Sequence, residues 1–190
     1  MRIALDACVL VPTIMREMLL GTAAEGAFAP IWSPRILEEW AWATRRLPEG
    51  AEAVAHIAIA RMRARWPEAE VPPLPEFTLS LSLPDPDDRH VLAAAIIGEA
   101  DTLLTLNRKD FPTRTLARHG LLRRDPDELL IEFLTEGYDI AGVAESVRAE
   151  AERLSGQPRA AAPLLKRAGL PRLARALARQ GTRGAINTNS

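Results

Sequence analysis

The sequence predicts an α/β fold, with a mostly parallel sheet flanked by helices and a C-terminal helical, basic extension. Three observations carry this. Short apolar runs of strand length alternate with longer helical patterns, as they do when parallel strands are joined through helices. Three helix starts share one design, a capping residue followed by proline, at Ser33-Pro34, Asp85-Pro86 and Asp125-Pro126. The acids Asp6, Glu39 and Asp88 stand where local pattern would put an apolar residue or end a strand.

Arg2-Ile3-Ala4-Leu5 is a short apolar run that ends at Asp6. A strand buried on both faces reads as such a run rather than as an alternation. Met15 to Glu25 reads as helix and Phe28 to Trp32 as a second strand. Ser33 then caps a helix that runs to about Leu47, where Pro48-Glu49-Gly50 breaks it. Ala51 to Trp66 is an alanine-rich helix, and Pro67 to Pro75 a proline-rich connection. Phe77 to Leu83 alternates and is expected as a strand. The helix opened by Asp85-Pro86 runs to about Ile97, with Gly98 as its stop. Thr102 to Leu106 and Leu121 to Arg124 read as strands, and a helix runs from Asp125 through Phe133. Gly184 to Ser190 are expected to be disordered.

A chain of 190 residues with 47% hydrophobic and 26% charged residues fits one globular domain with an appendage. The net charge of −1 announces no polyanion partner. Cys8 is the lone cysteine, which excludes an intramolecular disulfide and fits a reducing cytoplasm. The opening MRIALDACVLVPTIM is broken by Asp6 and carries no small-residue cleavage site, so it is not expected to be a signal peptide. No apolar stretch spans a bilayer, and a soluble, cytoplasmic protein is expected. There is no phosphate-loop or dinucleotide glycine fingerprint. His56, His90 and His119 with Cys8 give no zinc spacing, and His90 reads as a surface residue of its helix.

Acids aimed at an interior are costly unless something positive compensates them. A divalent cation is the simplest such partner. At about 100° per residue, Ile36, Trp40, Ala43 and Leu47 share a helix face. Glu39 flanks that face and Glu38 points away. In the helix after Asp85, Asp88 falls near the centre of the face made by Val91, Leu92, Ala95 and Ile96, with Asp87 further round. Each acid also has a plain structural reading. First-turn acids suit the helix dipole, and an acid after a strand often caps a turn. Yet sites in open α/β sheets form at the carboxyl ends of strands. Asp6 lies at such an end, as does Asn107, with Asp110 close by. Oxygen-only ligands select a hard cation, Mg²⁺ or Mn²⁺.

These residues resemble the PIN-domain ribonucleases, in particular VapC-type toxins of toxin–antitoxin modules. LDACVLVP is similar to the family's first motif and WSPRILEEW to its second. PDPDDRHVLAAAI with LLTLNRKDFP is similar to the third and fourth, and that pair is the most specific. The resemblance covers roughly residues 1–135. It implies a PIN-like three-layer fold over residues 1–135, and residues 136–190 read as the C-terminal extension. It implies Asp6, Glu39 and Asp88 as metal-binding acids, Asp110 as a further catalytic acid, and Thr105 as a supporting residue. Asn107 stands where many members have a fourth acid, which bears on whether one metal or two would bind.

The implied activity is Mg²⁺-dependent endonucleolytic hydrolysis of RNA, with Mn²⁺ as a substitute. A cognate antitoxin and a homodimer are the implied partners. Arg61, Arg63, Arg65, Arg108 and Lys109 are candidate RNA contacts, as are Arg123 and Arg124, because an acidic pocket alone would repel RNA. After Glu152 the chain has no Asp or Glu, and carries Arg153, Arg159, Lys166, Arg167, Arg172, Arg175, Arg179 and Arg183. This tail is expected to bind RNA or an acidic partner rather than to do chemistry. The competing expectation is that Leu164, Leu165, Leu170, Leu173 and Leu177 pack it onto the core. A dehalogenase-like phosphatase would need a second Asp where Cys8 stands. A catalytically decayed module that binds RNA or antitoxin is the remaining alternative, and Asn107 favours it.

Overall fold

In the computed structural model, β1 (Arg2–Leu5), β2 (Ala29–Ile31), β3 (Thr102–Leu104) and β4 (Leu122–Arg124) form one sheet in the order β2-β1-β3-β4. Every neighbouring pair is parallel. The backbone is described for residues 1–187 and side chains to residue 180. Ile3, Ala4 and Leu5 are fully buried, as a central parallel strand requires. Pro30 sits in β2, which is an edge strand, where a missing N–H is tolerated.

The helices are α1 (Ala7–Leu10), α2 (Thr13–Ala24), α3 (Pro34–Thr44), α4 (Ala51–Arg65), α5 (Pro75–Ser80), α6 (Arg89–Ile97), α7 (Thr113–Ala117), α8 (Pro126–Glu136), α9 (Ile140–Ser155), α10 (Ala161–Arg167) and α11 (Pro171–Asn187). Ser33 caps α3 by accepting from the Ile36 N–H, and Asp125 caps α8 by accepting from Asp127 and Glu128. No helix among the described residues is long and apolar enough to cross a membrane.

The chain forms two compact units. One comprises Met1–Val11 and Phe28–Arg124, the other Pro12–Ala27 and Asp125–Ser190. The first holds the whole sheet, with α6 against β1 and β3 and α3 against α1, α4 and α6. In the second, α2 packs on α8, α9 and α10, and α11 packs on α8 and α10. The expected boundary after residue 135 falls at the end of α8, inside this second unit. Leu164, Leu165, Leu170 and Leu173 are buried there. Asp127, itself buried, accepts from the backbone N–H groups of Arg172 and Leu173 at 2.8 Å each, and so caps α11 from α8.

Three expectations are corrected. Phe77 to Leu83 is not a strand: Pro75 starts the short helix α5, which ends at Ser80, and Leu81 to Leu83 form no regular structure. The alternation misleads because Leu79 is 71% exposed, so no sheet face was being written. The helix expected from Asp85 begins as a 3-10 turn, Pro86–Asp88, and α6 follows from Arg89. Gly98 ends α6 as expected, and its own backbone is not left-handed. That conformation falls to Glu99, at φ 49°, while a Cβ on Gly98 would come within 2.5 Å of Ile31 Cγ2. The expected terminal disorder gives way to α11 as far as Asn187, and residues 188–190 lie outside the described residues. Within the proline-rich connection, Glu70 makes a parallel bridge to Trp32, just past β2.

Candidate metal centre

Because all strands run one way, their carboxyl ends share one edge, and β1 and β3 are neighbours there. Asp6 follows β1 and donates its N–H to the Leu104 carbonyl, while Thr105 follows β3. The Thr105 hydroxyl donates to Asp6 Oδ2 at 2.6 Å, and the Cys8 thiol approaches the same oxygen at 3.0 Å. Asp6 is therefore buried but held by donors. Burial, and then the Asp6 charge, push the Cys8 thiol up to about 12, so it remains a donor and not a nucleophile.

The network continues outward. Thr105 Oγ1 accepts from the Asn107 N–H at 2.9 Å. Asn107 donates through Nδ2 to Asp88 Oδ2 at 3.0 Å and accepts through Oδ1 from the Asp110 N–H at 3.3 Å. The amide thus donates to the Asp88 carboxylate and receives the Asp110 backbone, where a carboxylate in its place would repel Asp88. Arg123 on β4 donates to the carbonyls of Arg108 and Phe111 at 2.9 and 2.7 Å, tying the loop that carries Asp110 to the sheet.

Asp85, Asp88 and Asp110 each present a carboxylate oxygen, and the three oxygens lie within 4.8 Å of one another. Asp88 is pushed up to about 6, first by burial and then by the charges of Asp6, Asp85 and Asp110, with His90 acting the other way. That is the mark of converging carboxylates short of positive charge. Among the described residues, neither carboxylate oxygen of Asp110 has a hydrogen-bond or ion-pair partner. The donor set, all oxygen and all acidic, fits a hard divalent cation.

Asp6, Asp88 and Asp110 are candidates on the sequence, and the charges of Asp6 and Asp110 both act on Asp88. Asp85 reads on the sequence only as a helix cap. Asp85 does accept from the Asp87 N–H at 2.9 Å, but it also joins the cluster. The signal was the density of three acids around one proline in Asp85-Pro86-Asp87-Asp88. Glu39 is not part of that cluster. Its Oε1 lies 2.9 Å from His90 Nε2 and accepts from Arg35 Nε at 3.2 Å. Glu38 is exposed, as the helical phase requires. His90 is not the surface residue expected. It is 4% exposed, and its Nδ1 is buried without a partner.

The basic residues are less free than their sequence suggests. Arg61, Arg63 and Arg65 are exposed on α4, but Arg63 pairs with Glu70 and Arg65 lies over Trp66. Arg108 and Lys109 are exposed beside the acidic loop. In the second unit, Arg153 pairs with Glu150 and Arg172 with Glu128. Lys166, Arg175 and Arg179 are exposed and make no ion pair among the described residues.

A family model described as PIN domain matches residues 2–109, more than half of the chain. Neither curated proteins nor solved structures gave a match.

Proposed function

The chain belongs to the PIN-domain family, and from that premise we propose that it is a metal-dependent endoribonuclease, the toxin component of a toxin–antitoxin pair. The observation that carries the nuclease reading is the convergence of Asp85, Asp88 and Asp110 beside Asp6 at the carboxyl edge of a parallel sheet. The family supports RNA as substrate. The toxin role, a cognate antitoxin and a homodimer rest on the motif resemblance alone.

Asp85, Asp88 and Asp110 would hold Mg²⁺ or Mn²⁺, with Asp6 as the buried carboxylate behind them. When bound, such a cation supplies an acidified water and neutralises charge on the phosphodiester. The chain's own residues set the stage. Thr105 and Cys8 hold Asp6 in place. Asn107 orients Asp88 and the backbone of Asp110. Glu39, fixed through one oxygen by His90 and Arg35, keeps Oε2 without a partner among the described residues, available to a water or a ribose hydroxyl. Arg108 and Lys109 flank the acidic loop and would meet the RNA backbone.

The test is cleavage of single-stranded RNA by the full chain, with Mn²⁺ binding followed by calorimetry. Wild type should bind Mn²⁺ and cut; Asp6→Asn and Asp88→Asn should do neither well. Wild-type rates in both variants would sink the assignment. The decayed-module reading has Asn107 in its favour, an amide where many relatives carry an acid. It requires that wild type bind no Mn²⁺ measurably.

A further inference from the structure

An open cavity of about 380 Å³ lies in the first unit, lined among others by Pro34, Arg35, Pro72, Pro73, Leu79 and His90. We propose that it receives a nucleobase of the RNA, adjacent to the scissile phosphate. This rests on the nuclease reading above.

Three features select that occupant. The size falls within the roughly 300–1,000 Å³ of small-molecule sites, enough for a nucleotide. The walls suit a flat, largely apolar ring: the planar Arg35 guanidinium and the His90 imidazole are groups of the kind on which a base stacks, and the proline rings and the Leu79 side chain offer apolar contact. None of the lining residues is acidic, and Arg35 is cationic, so a phosphate attached to the base is not repelled at the wall. Leu79 is 71% exposed at the rim, a large apolar side chain with little packed over it.

The cavity is also joined to the candidate centre. His90 forms part of its wall, stands two residues after Asp88, and holds Glu39 through Nε2. Arg35, another wall residue, holds the same Glu39 oxygen and reaches the Asp87 carbonyl at 3.4 Å. A base seated here would therefore sit against the residues that position Glu39, and the phosphate beside it would be directed toward the carboxylates. Such a pocket would select where RNA is cut without taking part in chemistry.

The experiment uses the full chain without metal. AMP, GMP, CMP and UMP are titrated in turn, and the Leu79 methyl resonances are followed by NMR. At least one nucleotide should shift them saturably. Leu79→Ala removes the wall and Leu79→Glu adds a repelling charge; both should weaken that binding, and both sit on an exposed rim. On RNA, each should lower kcat/KM by about tenfold, the scale of one stacked base, and broaden the cleavage-site preference while leaving Mn²⁺ affinity unchanged. Unmoved methyls with all four nucleotides would overturn the proposal. So would wild-type rate and preference in both variants, or a response to an acidic peptide and not to nucleotides. If wild type cuts no RNA, the nuclease reading fails by itself, and the titration alone then decides whether the cavity binds a base.

Discussion

At the residue scale the informative quantity is the charge left uncompensated at Asp88. Its carboxyl is held near 6, against an ordinary value of 3.8, so the folded chain binds this proton more tightly than the unfolded one. Stability from this group is full below about pH 3.8 and is lost as pH rises through about 6. Metal affinity runs the other way, rising through the same window because only the ionised form is a ligand. Asp88→Asn should therefore flatten the fall in apo stability between these pH values and leave apo melting at pH 7.5 unchanged or higher. It should cost Mn²⁺ affinity at least about 100-fold, since outer-shell partners alone are worth 10–100-fold. Thermal melts across pH with calorimetry check both. Glu39 and Glu38 offer a second contrast. Glu39→Ala should reduce cleavage and Glu38→Ala should not, because only Glu39 is held by His90 and Arg35. His90→Leu should lose activity without losing stability. A buried imidazole with an orphaned Nδ1 contributes little to the fold, and removing it relieves an unsatisfied group. A large fall in melting temperature for His90→Leu would mean that the histidine is structural.

At the element scale, α11 depends on a cap it does not carry. The residue before it is Leu170, which has no side-chain oxygen, and Asp127 of α8 supplies the acceptor instead. Asp127→Ala should destabilise the chain by about 2 kcal/mol, the upper range for removal of a cap, because the carboxylate is buried and meets two N–H groups. Urea unfolding measures it. An effect within a few tenths of a kcal/mol would mean that α11 is held by its leucines alone. The same scale explains the misread segment 77–83. Alternation is a local signal, whereas a strand needs a neighbour with free hydrogen-bonding groups. The edge of β2 is partly met by Glu70, through the bridge to Trp32, and Pro75 commits the following residues to a turn of helix.

At the scale of the whole molecule, the C-terminal helices α9, α10 and α11 pack with α2 and α8 in the second unit. Leu164, Leu165, Leu170 and Leu173 are each buried, worth about 1.5–3 kcal/mol apiece. Together they are comparable with the entire stability of a typical domain. A chain cut after Glu152 should melt at clearly lower temperature, so truncation cannot isolate a role in RNA binding. Point changes can. Lys166, Arg175 and Arg179 to Gln should reduce the salt dependence of RNA affinity by about 0.7 in slope for each phosphate no longer neutralised, with melting unchanged. An unaltered slope would assign the tail to packing only.

Some of this protein was decided by local sequence and some was not. The strand β1, the capped starts of α3 and α8, the break at Gly50 and the parallel α/β plan were legible because apolar runs, cap residues and proline act over a few positions. Asp6 and Asp88 were legible as candidate site residues for a related reason: one is an acid at a strand end and the other an acid at a helix start, and Asp110 was legible only through the motif resemblance. The membership of Asp85, the bridging role of Asn107 and the burial of His90 against Glu39 were not. Each joins residues from different elements, 19 positions apart for Asn107 and Asp88, and only the parallel packing of β1 beside β3 with α6 against both brings them to one edge. The cavity beside Glu39 belongs to the same class, because its walls come from α3, the proline-rich connection, α5 and α6 and exist only once those elements are packed.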